Sequence, residues 1–283
     1  MNQLVRTVKG LVPASVRRAV KTARKGEGPE AALGAFVLAQ AADYARSTGG
    51  DASALANATL GTFLHDRAAI KMAGEAQQYV MTAFQPDYER NLYPFYKQQE
   101  YMILLAFLSY PFRGPGSLNA QLQTYSAAAD ALPEMDILDY GAGMPFGLIQ
   151  LLRIRPEKVK SVTLVDLDLI HTRLSEHIIR GFIGDRLTMI RKTDPEAIPS
   201  FGRKKFNFCF GKDIFEHLTD PAPHLENILK ATAKQAVCYF DFTDHGEKYL
   251  QHVTPLLSPL NAVVEAHGFE KAQMLAGMSG FTR

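Results

Sequence analysis

Two short apolar runs that each end in an acidic residue carry the strongest chemical signal in the chain. The first run contains Asp139 and is followed by Gly141 and Gly143, and the second is followed directly by Asp166. Bare glycine backbone lets a strand turn sharply into a helix while a ligand lies against the main chain. A carboxylate after the neighbouring parallel strand can accept hydrogen bonds from a ribose diol. The spacing therefore predicts a site for a nucleoside-containing cofactor.

The residues around the glycines favour one cofactor class over another. A dinucleotide fingerprint reads Gly-x-Gly-x-x-Gly and holds a pyrophosphate at a helix N-terminus, but Gly147 falls one position too late for it. Asp139 would repel a pyrophosphate, whereas it can accept hydrogen bonds from an ammonium group. S-adenosylmethionine has an amino group, a sulfonium and a ribose but no phosphate, so it is favoured over NAD. A nucleotide-sugar or NAD-dependent oxidoreductase is the less favoured alternative, since no Tyr-x-x-x-Lys pair is placed for hydride chemistry.

From about residue 134 onward the chain resembles a class I S-adenosylmethionine-dependent methyltransferase. Four segments carry this resemblance in the order that the family has them: Asp139–Gly143 for the first motif, Val165–Asp168 for the second, Phe206–Pro221 for the fourth, and Val264–Glu270 for the step into the last strands. One departure is Pro145, which stands where many relatives have a third glycine. Because proline fixes its own φ and lacks an N–H, the loop contacts to the methionine part of the cofactor are expected to differ.

The pattern of the chain predicts the fold class. From Met135 onward, short apolar runs alternate with amphipathic stretches, which is typical of an α/β protein with a Rossmann-like, doubly wound, mainly parallel sheet. The resemblance implies the seven-stranded methyltransferase sheet over 131–283, whereas residues 1–130 read as an all-helical lid or acceptor-binding region. The predicted strands are Met135–Tyr140, Ser161–Val165, Leu187–Arg191, Phe206–Phe210, Ala236–Phe242 and Glu270–Leu275. The predicted helices are Pro29–Ser47, Asp51–Phe84, Asp87–Pro111, Ser117–Leu132, Gly147–Arg153, Leu169–Phe182, Ala222–Lys234 and Ser258–Ala266.

In such a sheet the carboxyl ends of the strands place the cofactor's ligands at one edge. The resemblance implies that Asp139 and the glycine loop face the aminoacyl part of the cofactor, and that Asp166, with Asp168 as second choice, binds the ribose hydroxyls. Asp194 stands where relatives bind the adenine amino group, although Asp194-Pro195 also fits a simple turn or helix cap. The predicted cofactor-binding residues are Asp139, Gly141, Ala142, Gly143, Asp166, Leu167, Asp194, Lys212 and Asp213.

Asp213, Glu216 and His217 follow the fourth strand and form the predicted catalytic cluster. Their spacing predicts that they project from one side of a helix that begins there. Methyl transfer requires an acceptor to be positioned and deprotonated, and an imidazole, which ordinarily titrates at about 6.5, suits the role of base. The alternative is that Asp213 caps the helix while Glu216 and His217 satisfy local hydrogen bonds.

The same cluster raises the question of a metal ion. It resembles the metal-binding segment of ubiquinone-pathway O-methyltransferases and of small-RNA 2′-O-methyltransferases, in which a further His after the fifth strand completes the ligands. Here His245 and His252 occupy that part of the chain and join the catalytic candidates. A divalent ion could lower the pKa of an acceptor hydroxyl. Because Asp213 stands where those families have Glu, methyl transfer without a metal is the preferred hypothesis.

Charge and aromatic residues bear on the partner. The 31 Lys and Arg residues nearly balance 29 Asp and Glu residues, giving a net charge of +2, so no global field steers the chain to nucleic acid. Tyr93, Tyr96 and Tyr101 are expected to line an acceptor site, or else a seam between the helices and the sheet. We therefore predict an O- or N-methyltransferase acting on a small-molecule, specialised-metabolite acceptor. A catalytically inactive subunit with the same fold, serving as a scaffold, is the alternative.

The remaining observations concern location. Cys209 and Cys238 fall in strand-like runs and are predicted to be buried thiols, as expected in the cytoplasm. No apolar run reaches the roughly 18 residues that span a membrane, and the first residues lack a signal-peptide core. Residues 1–25 carry seven Lys or Arg and no acid, a pattern that fits an anionic membrane surface or a partner. A solvated or frayed helix is the preferred interpretation, and a homo-oligomer is left open.

Overall fold

The computed structural model describes residues 28–48, 93–98, 100–112, 116, 118–244, 254 and 256–283. The chain divides into two compact units: Met1–Gln78 with Leu104–Leu118, and Tyr79–Ile103 with Asn119–Arg283. The predictions for residues 1–25 and 51–84 lie outside the described part. No helix within it is long and apolar enough to cross a membrane.

The second unit is built on a seven-stranded sheet with the strand order β3-β2-β1-β4-β5-β7-β6. The first five strands are parallel, and β7 runs antiparallel to both of its neighbours, β5 and β6. This arrangement confirms the predicted α/β fold with a mainly parallel, seven-stranded sheet. The strands are β1 Met135–Tyr140, β2 Val159–Leu167, β3 Leu187–Lys192, β4 Phe206–Gly211, β5 Thr232–Phe240, β6 Glu270–Lys271 and β7 Ser279–Thr282.

Helices cover both faces of this sheet, which is why its central strands are apolar on both sides. The α-helices are α1 Gly28–Thr48, α2 Tyr93–Gln98, α3 Glu100–Ser109, α4 Asn119–Ala131, α5 Phe146–Ile154, α6 Ile170–Ile183, α7 Pro221–Lys230 and α8 Leu260–Ala266. On one face, Leu138 and Tyr140 of β1 belong to a buried cluster with residues of α7 and α8. On the other face Asp139 contacts Tyr125 of α4. The alternation along β1 thus turns Asp139 toward α4.

Gly147 is required where α4 and α5 cross. A Cβ on Gly147 would lie 2.5 Å from the carbonyl oxygen of Gln121 and 2.6 Å from the ring of Tyr125. The Gly147 N–H also donates to the Gln121 side-chain oxygen over 3.1 Å. Gly147, which comes one position too late for a dinucleotide fingerprint, therefore allows α4 and α5 to pack closely.

The structure corrects two helix boundaries. No α-helix begins at Asp213, because only a 3-10 turn, Phe215–His217, follows β4. The α-helix begins at Pro221, where the fixed φ and missing N–H of proline suit the first helical position. The predicted helix Ala222–Lys234 is also too long, since Thr232–Lys234 already belong to β5.

Within the described part of the first unit, one carboxylate and one glycine make specific contacts between α1 and the segment that ends at Leu118. Glu30 of α1 accepts hydrogen bonds from the N–H groups of Gly116, over 3.0 Å, and Leu118, over 3.1 Å. A Cβ on Gly34 would lie 2.6 Å from Pro111, so the helix can approach that turn only because residue 34 is glycine.

Candidate active site

The loop after β1 forms the floor of the candidate site. Gly141 and Gly143 have φ values of 72° and 51°, a left-handed conformation that glycine adopts without steric cost. The N–H groups of Gly141 and Ala142 both donate to the carbonyl oxygen of Val165, over 2.8 and 3.2 Å. The loop is thereby fixed to the carboxyl end of β2. A Cβ on Gly141 would lie 2.6 Å from Ile214, so glycine also admits the segment that follows β4.

Asp166 stands at the end of β2 beside this loop. Its Oδ2 accepts a hydrogen bond from the Gly143 N–H, and its Oδ1 accepts one from the Leu167 N–H over 2.6 Å. His171 of α6 places its Nε2 3.9 Å from Oδ2. Since a carboxylate offers about four lone-pair positions, Asp166 can accept further hydrogen bonds from a diol in this orientation.

Asp139 lies in a different environment, deep on the α4 side of the loop. It is 1% exposed, and its Oδ2 accepts a hydrogen bond from the Tyr125 hydroxyl over 2.5 Å. Burial raises the pKa of Asp139 to about 8; the Tyr125 hydrogen bond opposes this rise, and the negative charge of Asp166 adds to it. The carboxyl group is therefore an acceptor that a nearby ammonium group would favour in its ionised form.

Asp168, the second choice for the ribose, has arginine partners. Arg173 of α6 binds it through two hydrogen bonds, of 3.0 Å from Nε and 2.9 Å from Nη2, and Arg191 lies 3.7 Å away. These contacts, with the Arg173 hydrogen bond contributing most, lower the pKa of Asp168. Its carboxylate ties the β2–α6 turn to α6 and β3, which distinguishes it from Asp166.

Helices α2 and α3 contact the same turn. The Tyr93 hydroxyl donates to the Asp168 carbonyl over 3.3 Å, and Glu100 accepts a 3.0 Å hydrogen bond from the N–H of Ile170, the first residue of α6. Tyr96 lies near the acids of the site: burial raises the pKa of its hydroxyl, and the charges of Glu216 and Asp166 add to that rise. The side chain of Tyr101 lies outside the described part.

The predicted catalytic cluster is only partly brought together. Glu216 is buried, and its Oε1 lies 4.0 Å from Nε2 of His217. Asp213 instead has a side chain 53% exposed, contacts Lys212, and has a φ of 52°. The prediction that Asp213, Glu216 and His217 share one helix face is therefore wrong, because a tight turn replaces the helix.

No metal site is found among the residues that the structure describes. No group of three or more His, Cys, Asp or Glu side chains converges there in a way that could hold an ion. His245 and His252, predicted to complete such a set, lie outside the residues that the structure describes.

Asp194, the predicted adenine ligand, forms a turn after β3. Its Oδ1 accepts a 2.9 Å hydrogen bond from the N–H of Glu196, as the turn alternative predicts. The Glu196 carboxylate in turn accepts a 2.9 Å hydrogen bond from the Thr219 N–H. The loop after β3 is thus tied to the segment that precedes α7.

A buried polar network that no sequence pattern predicts joins β1, β3 and α7. Tyr140 of β1 and His224 of α7 share a hydrogen bond of 2.6 Å between the hydroxyl and Nδ1. Lys192 of β3 lies over the Tyr140 ring, 5.7 Å from its centroid. Burial lowers the pKa of His224 to about 4, with the Lys192 charge adding, and burial lowers the pKa of Lys192 to about 8.

Comparison with known proteins found solved structures that are similar to this chain at low sequence identity. No protein-family model and no curated protein sequence matches the chain. Among solved structures, the chain is similar to a SAM-dependent methyltransferase from Aquifex aeolicus, with 15% identity, 60% of this chain and 93% of that chain covered, and a TM-score of 0.44. A putative methyltransferase from Bacillus halodurans has 17% identity, coverage of 54% and 70%, and a TM-score of 0.43. The pyocyanin biosynthetic protein PhzM has 14% identity, coverage of 83% and 76%, and a TM-score of 0.46.

Proposed function

We propose that the protein transfers a methyl group from S-adenosylmethionine to an oxygen or nitrogen of a small-molecule acceptor. The observation that carries this proposal is the pairing of two acids with a left-handed glycine loop at the carboxyl edge of the sheet. Asp139 and Asp166 are both hydrogen-bond acceptors, which suits a ligand with an ammonium group and a ribose diol. The small-molecule class of the acceptor is supported by the nearly balanced charge of the chain.

In this proposal each acid has one role in binding. Asp139 receives the ammonium group of the cofactor, and Asp166 receives its ribose hydroxyls. The loop Gly141–Gly143 and Leu167 line the same side, while Asp194, Lys212 and Asp213 belong to the segments proposed to border the adenine. When bound, S-adenosylmethionine supplies an electrophilic methyl group on its sulfonium. The protein's own task is then to orient the acceptor and take its proton.

His217 is the proposed base, and Glu216 the group that orients it. Their closest side-chain atoms lie 4.0 Å apart, longer than a hydrogen bond, and catalytic hydrogen bonds that are long without substrate commonly shorten in the complex. Tyr96, whose hydroxyl experiences the charges of Glu216 and Asp166, and Tyr93 are proposed to border the acceptor. They support the acceptor-binding role proposed for residues 1–130, with residues 131–283 binding the cofactor. A cytoplasmic location is proposed on the two buried free thiols, Cys209 and Cys238.

Calorimetric titration with S-adenosylmethionine and S-adenosylhomocysteine, with and without Mg²⁺, tests the function. Binding of both ligands at micromolar strength, about −8 kcal/mol, would support the cofactor. Absence of binding at any Mg²⁺ concentration would overturn the proposal and favour the scaffold alternative. Binding or turnover of an acceptor that requires Mg²⁺ would favour metal-assisted transfer.

The matched variants Asp166→Ala and Asp168→Ala separate the two acids of the second motif. We expect Asp166→Ala to weaken S-adenosylhomocysteine binding by about tenfold or more, since it removes acceptors for a diol. Asp168→Ala removes an arginine contact and should lower thermal stability while changing affinity much less. Equal losses of affinity in both variants would contradict the assignment of the ribose to Asp166.

Once acceptor screening yields a substrate, His217→Ala tests the base. We expect cofactor affinity to be retained while turnover falls by about 10²–10⁴-fold, as for the loss of a general base. The pH–rate profile should lose its acidic limb in the variant. Full turnover by His217→Ala would show that another group accepts the proton.

A further inference from the structure

Tyr125 is buried at a point where a phenylalanine would fill nearly the same space. Its side chain extends from α4 and is 1% exposed. The ring packs on two aromatic rings of β4, with centroids 4.9 Å from Phe208 and 5.3 Å from Phe210. Its hydroxyl reaches past them and donates to Oδ2 of Asp139 over 2.5 Å. The contacts with Phe208 and Phe210 explain why an aromatic ring is present at residue 125. They do not explain why that ring carries a hydroxyl group.

The hydroxyl acts on a carboxyl group whose surroundings disfavour its ionised form. Burial opposes ionisation of Asp139, and so does the charge of Asp166 on β2. From α4, the Tyr125 hydroxyl favours the ionised form by donating to it, while β4 presents only aromatic rings at this point. An ammonium group is bound far better by a carboxylate than by a neutral acid.

We infer that Tyr125 is a positioning residue for cofactor binding, whose hydroxyl holds Asp139 as an ionised carboxylate turned toward the cofactor's ammonium group. This inference rests on the proposed function and adds to it a residue that lies outside the four motif segments. It places α4, the helix before the sheet, within the machinery that determines cofactor affinity.

Calorimetric titration of S-adenosylhomocysteine between pH 6 and pH 9 tests the inference on Tyr125→Phe. Loss of the hydroxyl removes the donor that favours ionised Asp139, so the acidic limb of the affinity profile should move up by about one pH unit. At pH 7 the affinity should fall by about tenfold relative to the wild type. The ligand's own amino group titrates identically with both proteins and cancels in the comparison.

Two further variants keep the test specific. Tyr239→Phe removes another hydroxyl from the same aromatic cluster, where Tyr239 packs 6.5 Å from Phe208, and its profile should follow the wild type. Asp139→Asn, which cannot ionise, should bind weakly and without the acidic limb. Persistence of that limb in Asp139→Asn would assign it to another group and overturn the inference.

The outcomes also separate the inference from the proposed function. Wild-type protein that binds no S-adenosylhomocysteine at any pH would overturn the function itself. Wild-type binding with an unchanged profile in Tyr125→Phe, or with a loss that is uniform across pH, would leave the function standing and refute the positioning role. Thermal unfolding of each variant confirms that the comparison is made between folded proteins.

Discussion

Folding favours the protonated form of Asp139, whereas the proposed binding of an ammonium group favours its ionised form. Burial raises its pKa to about 8, whereas an unfolded aspartate titrates near 3.9. The folded state therefore holds this proton more tightly than the unfolded state. By linkage, the contribution of Asp139 to the free energy of unfolding falls as pH rises from about 4 to about 8.

Asp139→Asn should remove this contribution to the pH dependence of the free energy of unfolding, because asparagine is neutral at every pH. We expect the ligand-free variant to be more stable than the wild type at pH 8, with a difference that shrinks toward pH 5 and a slope of at most about 1.4 kcal/mol per pH unit. Urea unfolding at pH 5, 6, 7 and 8 measures it. Parallel stability profiles of the two proteins would show that Asp139 ionises in the folded state as it does in the unfolded chain.

At the scale of elements, the site depends on contacts that join segments distant in sequence. Glu100 of α3 accepts the first N–H of α6, and its ion pair with Lys97, at 2.7 Å, adds a link within the α2–α3 segment. A carboxylate at a helix N-terminus also interacts favourably with the helix dipole. Together with the Tyr93 hydroxyl on Asp168, these contacts fix α2 beside the carboxyl end of β2.

The crossing of α4 and α5 gives a sharp prediction about packing. Gly147→Ala would place a Cβ 2.5 Å from the Gln121 carbonyl, so we expect a loss of about 1–3 kcal/mol in the free energy of unfolding. Since α4 carries Tyr125, cofactor affinity should fall in the same variant.

Gly181→Ala is the matched control within α6. A Cβ at Gly181 meets nothing within 4 Å, so alanine should stabilise that helix by about 0.5–1 kcal/mol through helix propensity. Urea unfolding of both variants measures the contrast. If Gly147→Ala and Gly181→Ala both stabilised the protein, α4 and α5 would not be in close contact at residue 147.

The elements that could be predicted from sequence are those whose pattern follows from local burial. β1 was predicted as Met135–Tyr140 and observed with the same limits, because a strand covered on both faces reads as one apolar run. β7 was not predicted as a run of its own, since Ser279–Thr282 contains a single large apolar residue, Phe281. The i, i+3, i+4 spacing of Asp213, Glu216 and His217 predicts a helix where the structure has the turn Phe215–His217, because spacing alone does not distinguish the two.

At the scale of the whole molecule, the sequence likewise predicts only those parts of the site that depend on residues close together in the chain. The Asp–Gly–Gly loop and Asp166 were predicted from residues close in sequence. The bond from Tyr125 to Asp139 and the one from Tyr140 to His224 depend on how helices lie on the sheet. No local pattern marks a tyrosine whose partner comes from another element. The acids could therefore be found from the sequence, while the groups that determine their protonation required the fold.

Phe281 lies on β7, the strand that joins β6 to the rest of the sheet, so we expect the stability of the sheet to depend on this side chain. β7 lies between β5 and β6, and the fully buried Phe281 ring packs 6.3 Å from Phe240 and 6.1 Å from Phe242. Phe281→Ala should lower the free energy of unfolding by about 3–5 kcal/mol. Met274→Ala, at a side chain 65% exposed, should change it by no more than about 0.5 kcal/mol.

Urea unfolding measured by circular dichroism, with S-adenosylhomocysteine binding on the same samples, checks both variants. Because β5 pairs with β4 and β4 with β1, loss of the β7 contacts should loosen the edge that carries the site, and binding should weaken in Phe281→Ala. A variant that loses stability but binds as tightly as the wild type would show that the parallel strands hold the site without their antiparallel neighbours. The cofactor edge would then depend on β1, β2 and β4 alone.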